Sequence, residues 1–361
     1  MRTTTTGLVI GACAAMAACK QQQPAQPQPQ PVAVTEAPPQ EPPPDLGRGA
    51  IATAYRACWA RFNERAWDQF EHCYADDVVS SQAGLPQPIR GRDELMQRSV
   101  LPVTEAFPDG TGEVVLSLVY ADNVASIIRF AGTQSAPWPT ERGAIPATNR
   151  PAAVLMLHQA KLLDQQIIAE TWVRPMGTLL GQIGAIPQAA SAVVTPAELN
   201  GSTVMARLDE REAGQIEAHR RMHKLLSARD RDLFGMYDDQ VVSYWPGGTA
   251  GRKTRAEMAD HTRAFWDAFD DVMIDDEQMW AAGNYTVSIG RLRGTVKGSA
   301  DRIDQMFGEI IRWDDRRQPR VVESYLFYDD MPVMTPVGEP PPAPPPVTVE
   351  PAPAQPPVTM D

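Results

Sequence analysis

The chain has 361 residues, with 33 lysines and arginines against 45 aspartates and glutamates and a formal net charge of −12. That acidity argues against nucleic acid or an anionic membrane surface as the main partner. Its 34 prolines crowd two terminal segments too poor in apolar residues to build a core, and the stretch between them, about 49–333, is long enough for two ordinary domains.

Met1, Arg2 and four threonines lead into Gly7–Ala18, a short apolar stretch with small residues before Cys19. This is the layout of an export signal and is too short to span a bilayer. Met16-Ala17-Ala18-Cys19 resembles the lipobox of bacterial lipoproteins, with Met where that motif usually has Leu. The resemblance implies a signal peptide over residues 1–19, acylated Cys19 as the mature amino terminus, a lipid bilayer as its partner and a place in the bacterial cell envelope. Each buried acyl methylene contributes about 0.8 kcal/mol to such anchoring. Cleavage before Cys13, or plain secretion, are the alternatives. Residues 20–48 are rich in Gln and Pro and are expected to form a tether of about 3.1 Å per residue. Removal of the signal leaves Cys58 and Cys73 besides the lipidated Cys19. An oxidising compartment would let them pair, although both fall on predicted helices and also suit buried thiols.

From residue 49 the chain repeats itself. Phe70–Val79 lies against Leu233–Val242, Gly91-Arg92 against Gly251-Arg252, Ala106–Asp109 against Ala268–Asp271, and Arg129–Thr133 against Arg291–Thr295, always in the same order. Ile51, Ala54, Tyr55, Cys58, Trp59 and Phe62 have helical spacing, as do Met222, Leu225, Leu226, Leu233, Phe234 and Tyr237. Strand pairs follow: Val114–Tyr120 with Val124–Phe130, and Pro151–Ala160 with Ile167–Val173. The second copy offers a capping box, Thr254 to Glu257, before its third helix. Its strands are Val272–Trp280 and Tyr285–Arg293 around Gly283-Asn284, then Ile303–Trp313 and Arg320–Phe327. Helices first and a curved sheet afterwards predict an α+β fold. The expected domains are residues 49–187 and 210–335, joined by a linker over 188–209 and followed by a disordered Pro-rich tail over 336–361.

Ala106-Phe107-Pro108-Asp109, Gly132-Thr133, Gly143-Ala144-Ile145-Pro146-Ala147-Thr148 and Glu170-Thr171-Trp172 through Gln182-Ile183-Gly184 resemble the SnoaL-like polyketide cyclases over most of the first copy. That family belongs to the nuclear-transport-factor-two-like superfamily, whose cone-shaped domains pack helices in a curved antiparallel sheet around an apolar pocket. The second copy lacks the Gly-Ile-Pro-x-Thr stretch but keeps Gly294-Thr295, Glu323-Ser324-Tyr325, Asp329 and Val337-Gly338. The resemblance implies two such cones, paired through their sheets as an internal pseudo-dimer, and acid/base chemistry by a buried Asp.

In that family the acid usually lies nine residues before the closing Gly. Counting back from Gly184 lands on Pro175, which implies that the first copy has lost the reaction; counting back from Gly338 lands on Asp329. Glu323, Tyr325, Phe327 and Asp329 share one face of an extended strand and are expected to line the second pocket. Asp329 is the catalytic candidate, although Asp329-Asp330-Met331-Pro332 also reads as an acidic turn before a proline. His261, beside Phe265 and Trp266, is a weaker catalytic candidate or a core histidine. His158 and Trp172 are candidates for the first pocket, but Leu155, Leu157 and Lys161 make the His158 strand look half-exposed. Arg129 and Arg291 are read as structural partners of Glu170 and Glu323, with binding of an anionic ligand as the alternative. His219 and His223 stand at i and i+4 with cationic neighbours and no carboxylate in the motif, so no metal is expected. No cofactor is expected either, since dinucleotide and phosphate-loop motifs are missing. Two functions remain open: binding of a small apolar ligand or a non-catalytic adaptor role, and a cofactor-independent acid/base enzyme using Asp329.

Overall fold

A computed structural model of the protein describes residues 47–140, 143–187, 201–246, 251–298 and 302–330. The expected signal peptide, Cys19, nearly all of the tether, most of the linker and the Pro-rich tail lie outside the described residues. No helix among the described residues is long and apolar enough to cross a membrane.

The first domain opens with α1 (Arg48–Asn63), which buries Ala52, Tyr55, Cys58 and Phe62 along one stripe, as its i, i+3, i+4 spacing dictates. α2 (Trp67–Glu71) follows, and a disulfide between Cys58 and Cys73, with Cα atoms 5.8 Å apart, ties its end back to α1. The chain continues through β1 (Tyr74–Gln82), β2 (Ile89–Arg90), α3 (Arg92–Leu95), one π-helical turn over Met96–Val100, and α4 (Leu101–Ala106). Four long strands carry the sheet onward: β3 (Thr111–Tyr120), β4 (Asn123–Gln134), then, after the short hairpin β5 (Trp138–Thr140) and β6 (Gly143–Ile145), β7 (Arg150–Leu163) and β8 (Gln166–Val173). The β7–β8 turn is two residues, Asp164 and Gln165, both at positive φ (49° and 67°), the backbone that matches strand twist in a tight hairpin. A seven-residue helix, α5 (Met176–Gln182), closes the domain.

Ser202–Met205 falls in the segment expected to be linker, yet it forms β9, paired parallel to β3 at the sheet edge. The second domain then repeats the plan: α6 (Glu210–Ser227), β10 (Tyr237–Tyr244), β11 (Gly251–Thr254), α7 (Arg255–Asp267), β12 (Phe269–Ala282), β13 (Tyr285–Val296), β14 (Arg302–Trp313) and β15 (Val321–Tyr328). The Thr254–Glu257 capping box is present in full at the start of α7, and Gly283 with Asn284 makes the two-residue β12–β13 turn.

Both sheets have one order. It runs β2-β1-β8-β7-β4-β3-β9 in the first domain and β11-β10-β15-β14-β13-β12 in the second. Neither is purely antiparallel, because β1 pairs parallel with β8, and β10 with β15. Each sheet curls around its own helices and presents its outer face to the other domain. One apolar cluster joins Leu116, Leu118, Ile127, Leu155 and Leu157 with Trp280, Ile289, Ile310, Tyr325 and Phe327. Strand alternation therefore sends every second side chain of the central strands into a cone and the others into the seam between domains.

Candidate functional site

The first cone encloses a cavity with about 830 Å³ of empty space, including its open mouth, lined by Trp59, Phe62, Phe130, Met156, Trp172 and Leu179 among other apolar side chains. At its floor lies a chain of polar contacts built from three elements. α1 supplies Tyr55, whose hydroxyl stands 2.8 Å from His158 Nδ1. β7 supplies His158, whose Nε2 lies 3.0 Å from Glu170 Oε2. β8 supplies Glu170, which accepts a hydrogen bond from Ser80 on its other oxygen at 2.7 Å. Burial alone would raise the Glu170 carboxyl, but hydrogen bonding and charge attraction from His158, with Ser80, hold it below the usual carboxylate range. The Trp172 ring stacks on the imidazole, centroids 3.9 Å apart and planes 6° apart. Arg174 lies over the Trp172 ring at 5.0 Å and donates to Gln82 and Ser99.

His158 thus occupies a different place from the half-exposed strand expected for it. β7 lies between β4 and β8, so Val154, Met156 and His158 point into the cone while Leu155 and Leu157 enter the seam. His158 is 1% exposed. Trp172 lines the first cavity as expected.

The second cone holds a cavity of similar size, about 830 Å³ with its mouth, lined by Met222, Tyr237, Met258, His261, Phe307, Glu309, Ser324, Leu326 and Tyr328 among others. Here the expectation for β15 is overturned. Tyr325 and Phe327 do share a face, but it packs into the seam, and the residues that reach the cavity are Ser324, Leu326 and Tyr328. Glu323, on the Tyr325 side, pairs with Arg312 at 2.5 Å and accepts from the Tyr325 hydroxyl at 3.0 Å. Arg291 instead pairs with Asp304 at 2.6 Å, and Arg129 with Glu113 at 3.7 Å, so neither arginine serves the glutamate expected for it.

Asp329, the catalytic candidate, is also outside the second cavity. A Cβ on Gly84 of the first domain would stand 2.7 Å from its Oδ2, and its charge is felt by Arg174. Asp330 beside it is fully buried, accepts from Thr178 Oγ1 at 2.6 Å and takes backbone bonds from Gly177 and Thr178. These are the first-turn donors of α5, which has no capping side chain of its own because Pro175 occupies the N-cap. Asp330 clamps the second domain onto α5 of the first and completes the cap that Pro175 lacks, while Asp329 sits against the turn at Gly84.

His261 does reach the second cavity, with its ring stacked on that of Trp245, centroids 3.7 Å apart. Burial, and then the charge of Lys253, lower its pKa. It stands apart from the charged centre of this cone, which is a set of residues that the sequence did not single out as a site. His219 Nε2 and His223 Nε2 converge on Glu309 Oε2 at 3.2 and 3.0 Å. Asp276 accepts at His223 Nδ1 at 2.8 Å and from Ser288 at 2.6 Å, and Ser324 donates to Glu309 Oε1 at 3.0 Å. Against the lowering effect of burial, bonds to Asp276 and Glu309 push His223 up to about 9. The same histidines outweigh the burial of Glu309 and bring it down to about 2. His219, buried beside an imidazolium, is lowered.

The two centres occupy equivalent positions. His158 faces Ser126 across β4–β7, and Glu309 faces Ser288 across β13–β14; Glu170 faces Ser80 across β1–β8, and Ser324 faces Ser243 across β10–β15. From the helix, Tyr55 reaches the first centre and His219 the second. The base moves from β7 in the first copy to the helix in the second, and the carboxylate from β8 to β14, the equivalent of β7. An alignment of like with like misses this, and a search for titratable residues on inward-facing strand positions would have found it.

Two inward-curled sheets around helices, each with an apolar cavity and a polar floor, define a cone-shaped α+β domain in duplicate. Residues 49–183 match the SnoaL-like polyketide cyclase family and residues 219–321 a second SnoaL-like domain family. The chain belongs to the SnoaL-like proteins and carries two such domains in tandem. A SnoaL-like polyketide cyclase from Agrobacterium tumefaciens is 16% identical, with 37% of this chain and 98% of that chain covered and a TM-score of 0.31. IdmH of Streptomyces antibioticus is 23% identical, over 37% of this chain and 98% of its own, with a TM-score of 0.33. TsrD of Streptomyces laurentii is 19% identical, over 39% of this chain and 99% of its own, with a TM-score of 0.34. No curated protein matches the chain.

Proposed function

We propose that this chain is an envelope-anchored protein whose first domain binds a small, largely apolar molecule. The observation that carries the reading is the state of the first cavity's floor. Tyr55, His158, Glu170 and Ser80 are paired with one another, so an apolar ligand filling the space above them leaves none of them newly unpaired. The cavity is lined almost entirely by apolar side chains, and Trp59 and Trp172 give it flat aromatic walls. The anchoring half of the proposal is supported by the lipobox-like Met16–Cys19 and by a Cys58–Cys73 disulfide, which suits an oxidising compartment.

A second reading, cofactor-independent acid/base catalysis, has one observation in its favour. Tyr55, His158 and Glu170 stand in the order hydroxyl, base and orienting carboxylate, the geometry of a proton relay. Burial pushes the Tyr55 phenol upward, which opposes formation of the phenolate such a relay must pass through, so binding is the stronger reading. In either case the residue concerned is His158, since Asp329 is not among the residues lining either cavity.

The test is native mass spectrometry of the gently purified chain, followed by tryptophan-fluorescence titration with apolar ring compounds. A retained or titratable ligand whose binding weakens in Trp172→Ala is expected. A chain that arrives empty and takes up no apolar probe, while remaining folded, would sink the binding reading.

A further inference from the structure

The charged centre of the second cone is arranged as a metal site. His219 and His223 lie one turn apart on a single face of α6. Together with one Glu309 oxygen their ligand atoms all fall within 4.8 Å of one another, and all three residues are buried. The two Nε2–Oε2 separations are 3.2 and 3.0 Å. Ligands at about 2.0–2.2 Å from a tetrahedral ion stand roughly 3.3 Å apart, so small side-chain adjustments would admit one.

The surroundings supply a second, independent argument. Metal-bound imidazoles use their remaining nitrogen to donate to a carboxylate or another oxygen, which fixes the tautomer and aims the ligand nitrogen. Asp276 does this for His223 Nδ1 and Thr286 Oγ1 for His219 Nδ1, each at 2.8 Å. Those partners are themselves held, Asp276 by Ser288 at 2.6 Å and Thr286 by the Trp313 indole at 2.8 Å. Ser324 occupies Glu309 Oε1 and leaves Oε2 as the point where both rings converge.

Charge points the same way. Glu309 and Asp276 bring two carboxylates, and the groups bonded to them among the described residues are His219, His223, Ser288 and Ser324, with no Arg or Lys. A divalent cation held by two neutral imidazoles would balance the charge of both carboxylates.

We propose that the second domain binds one divalent first-row transition ion of the zinc class through His219 Nε2, His223 Nε2 and Glu309. Glu309 lines the second cavity, so the ion keeps an open position there for water or for a polar group of a ligand. The proposal is independent of the ligand-binding reading, which concerns the other cavity. Cobalt titrated into the metal-stripped full chain should bind at one equivalent with visible bands of a four- or five-coordinate ion, and zinc should displace it. Zinc-edge X-ray absorption on the loaded wild-type chain should show two imidazole ligands, a readout that needs no variant. Asp276→Asn, which keeps the shape of the centre, should weaken binding by about 10- to 100-fold; His223→Ala should weaken it at least as much, and exposed Asp260→Ala should not. A folded wild-type chain that takes up no stoichiometric cobalt or zinc, or whose bound zinc shows no histidine ligand, overturns the proposal. So does unchanged affinity in the folded Asp276 and His223 variants.

Discussion

Gly308, on β14, offers a direct test of the seam between the domains. A methyl at this position would run into Leu157 Cδ2 of the first domain, well inside van der Waals contact. Leu157 is fully buried in the seam, so its side chain has no open space into which to swing. Overpacking of this kind costs about 1–3 kcal/mol, and that is the expected loss for Gly308→Ala. Leu157→Ala alone should cost about 2–5 kcal/mol through lost burial and a residual cavity. In the double variant the new methyl enters the space the leucine vacates, so the summed penalty should exceed the measured one by about 1–2 kcal/mol. Equilibrium urea unfolding of all four chains, with the slope checked for constancy, measures that coupling. If the effects add to within about 0.5 kcal/mol, the two faces are not in contact in solution and the seam described above is refuted.

Burial raises the Asp330 carboxyl, so the folded chain holds that proton more tightly than the unfolded one. Its contribution to stability is therefore greatest at low pH and declines as pH rises from the unfolded value near ~3.9 through the folded one. The melting temperature of wild type minus that of Asp330→Asn should fall as pH rises above about 4; a flat difference would contradict the buried placement. Reducing the Cys58–Cys73 disulfide, whose cysteines are 15 residues apart, should lower unfolding stability by about 3 kcal/mol, and an unchanged urea midpoint would show that the bond does not form. Replacing Cys19 by Ser should abolish palmitate labelling and move the chain from the membrane to the soluble fraction. Labelling that persists would shift the anchor to another residue.

The local layer of this fold was legible in the sequence for physical reasons. Asp164-Gln165 aside, its hairpins carry their own turn residues, and Thr254 with Glu257 announces α7 through a cap that needs no tertiary partner. What lay out of reach was the choice of face. Alternation groups Tyr325 with Phe327 and Ser324 with Tyr328, but both sets are buried, one by the seam and one by the cone, so composition cannot say which looks inward. The same double burial hid His158: Leu155 and Leu157 looked like the buried side of a half-exposed strand when they belong to the seam shared with the other domain. The histidine pair on α6 looked unpartnered because its carboxylates come from strands 53 and 86 residues away. Once the sheet is closed, each inward register position opposite Ser126 or Ser288 holds a titratable group. The chain has kept a polar floor in both cones while moving the base from a strand to the helix and the carboxylate to the strand position the base held. That relocation is why chemistry inferred for one copy by alignment does not transfer to the other.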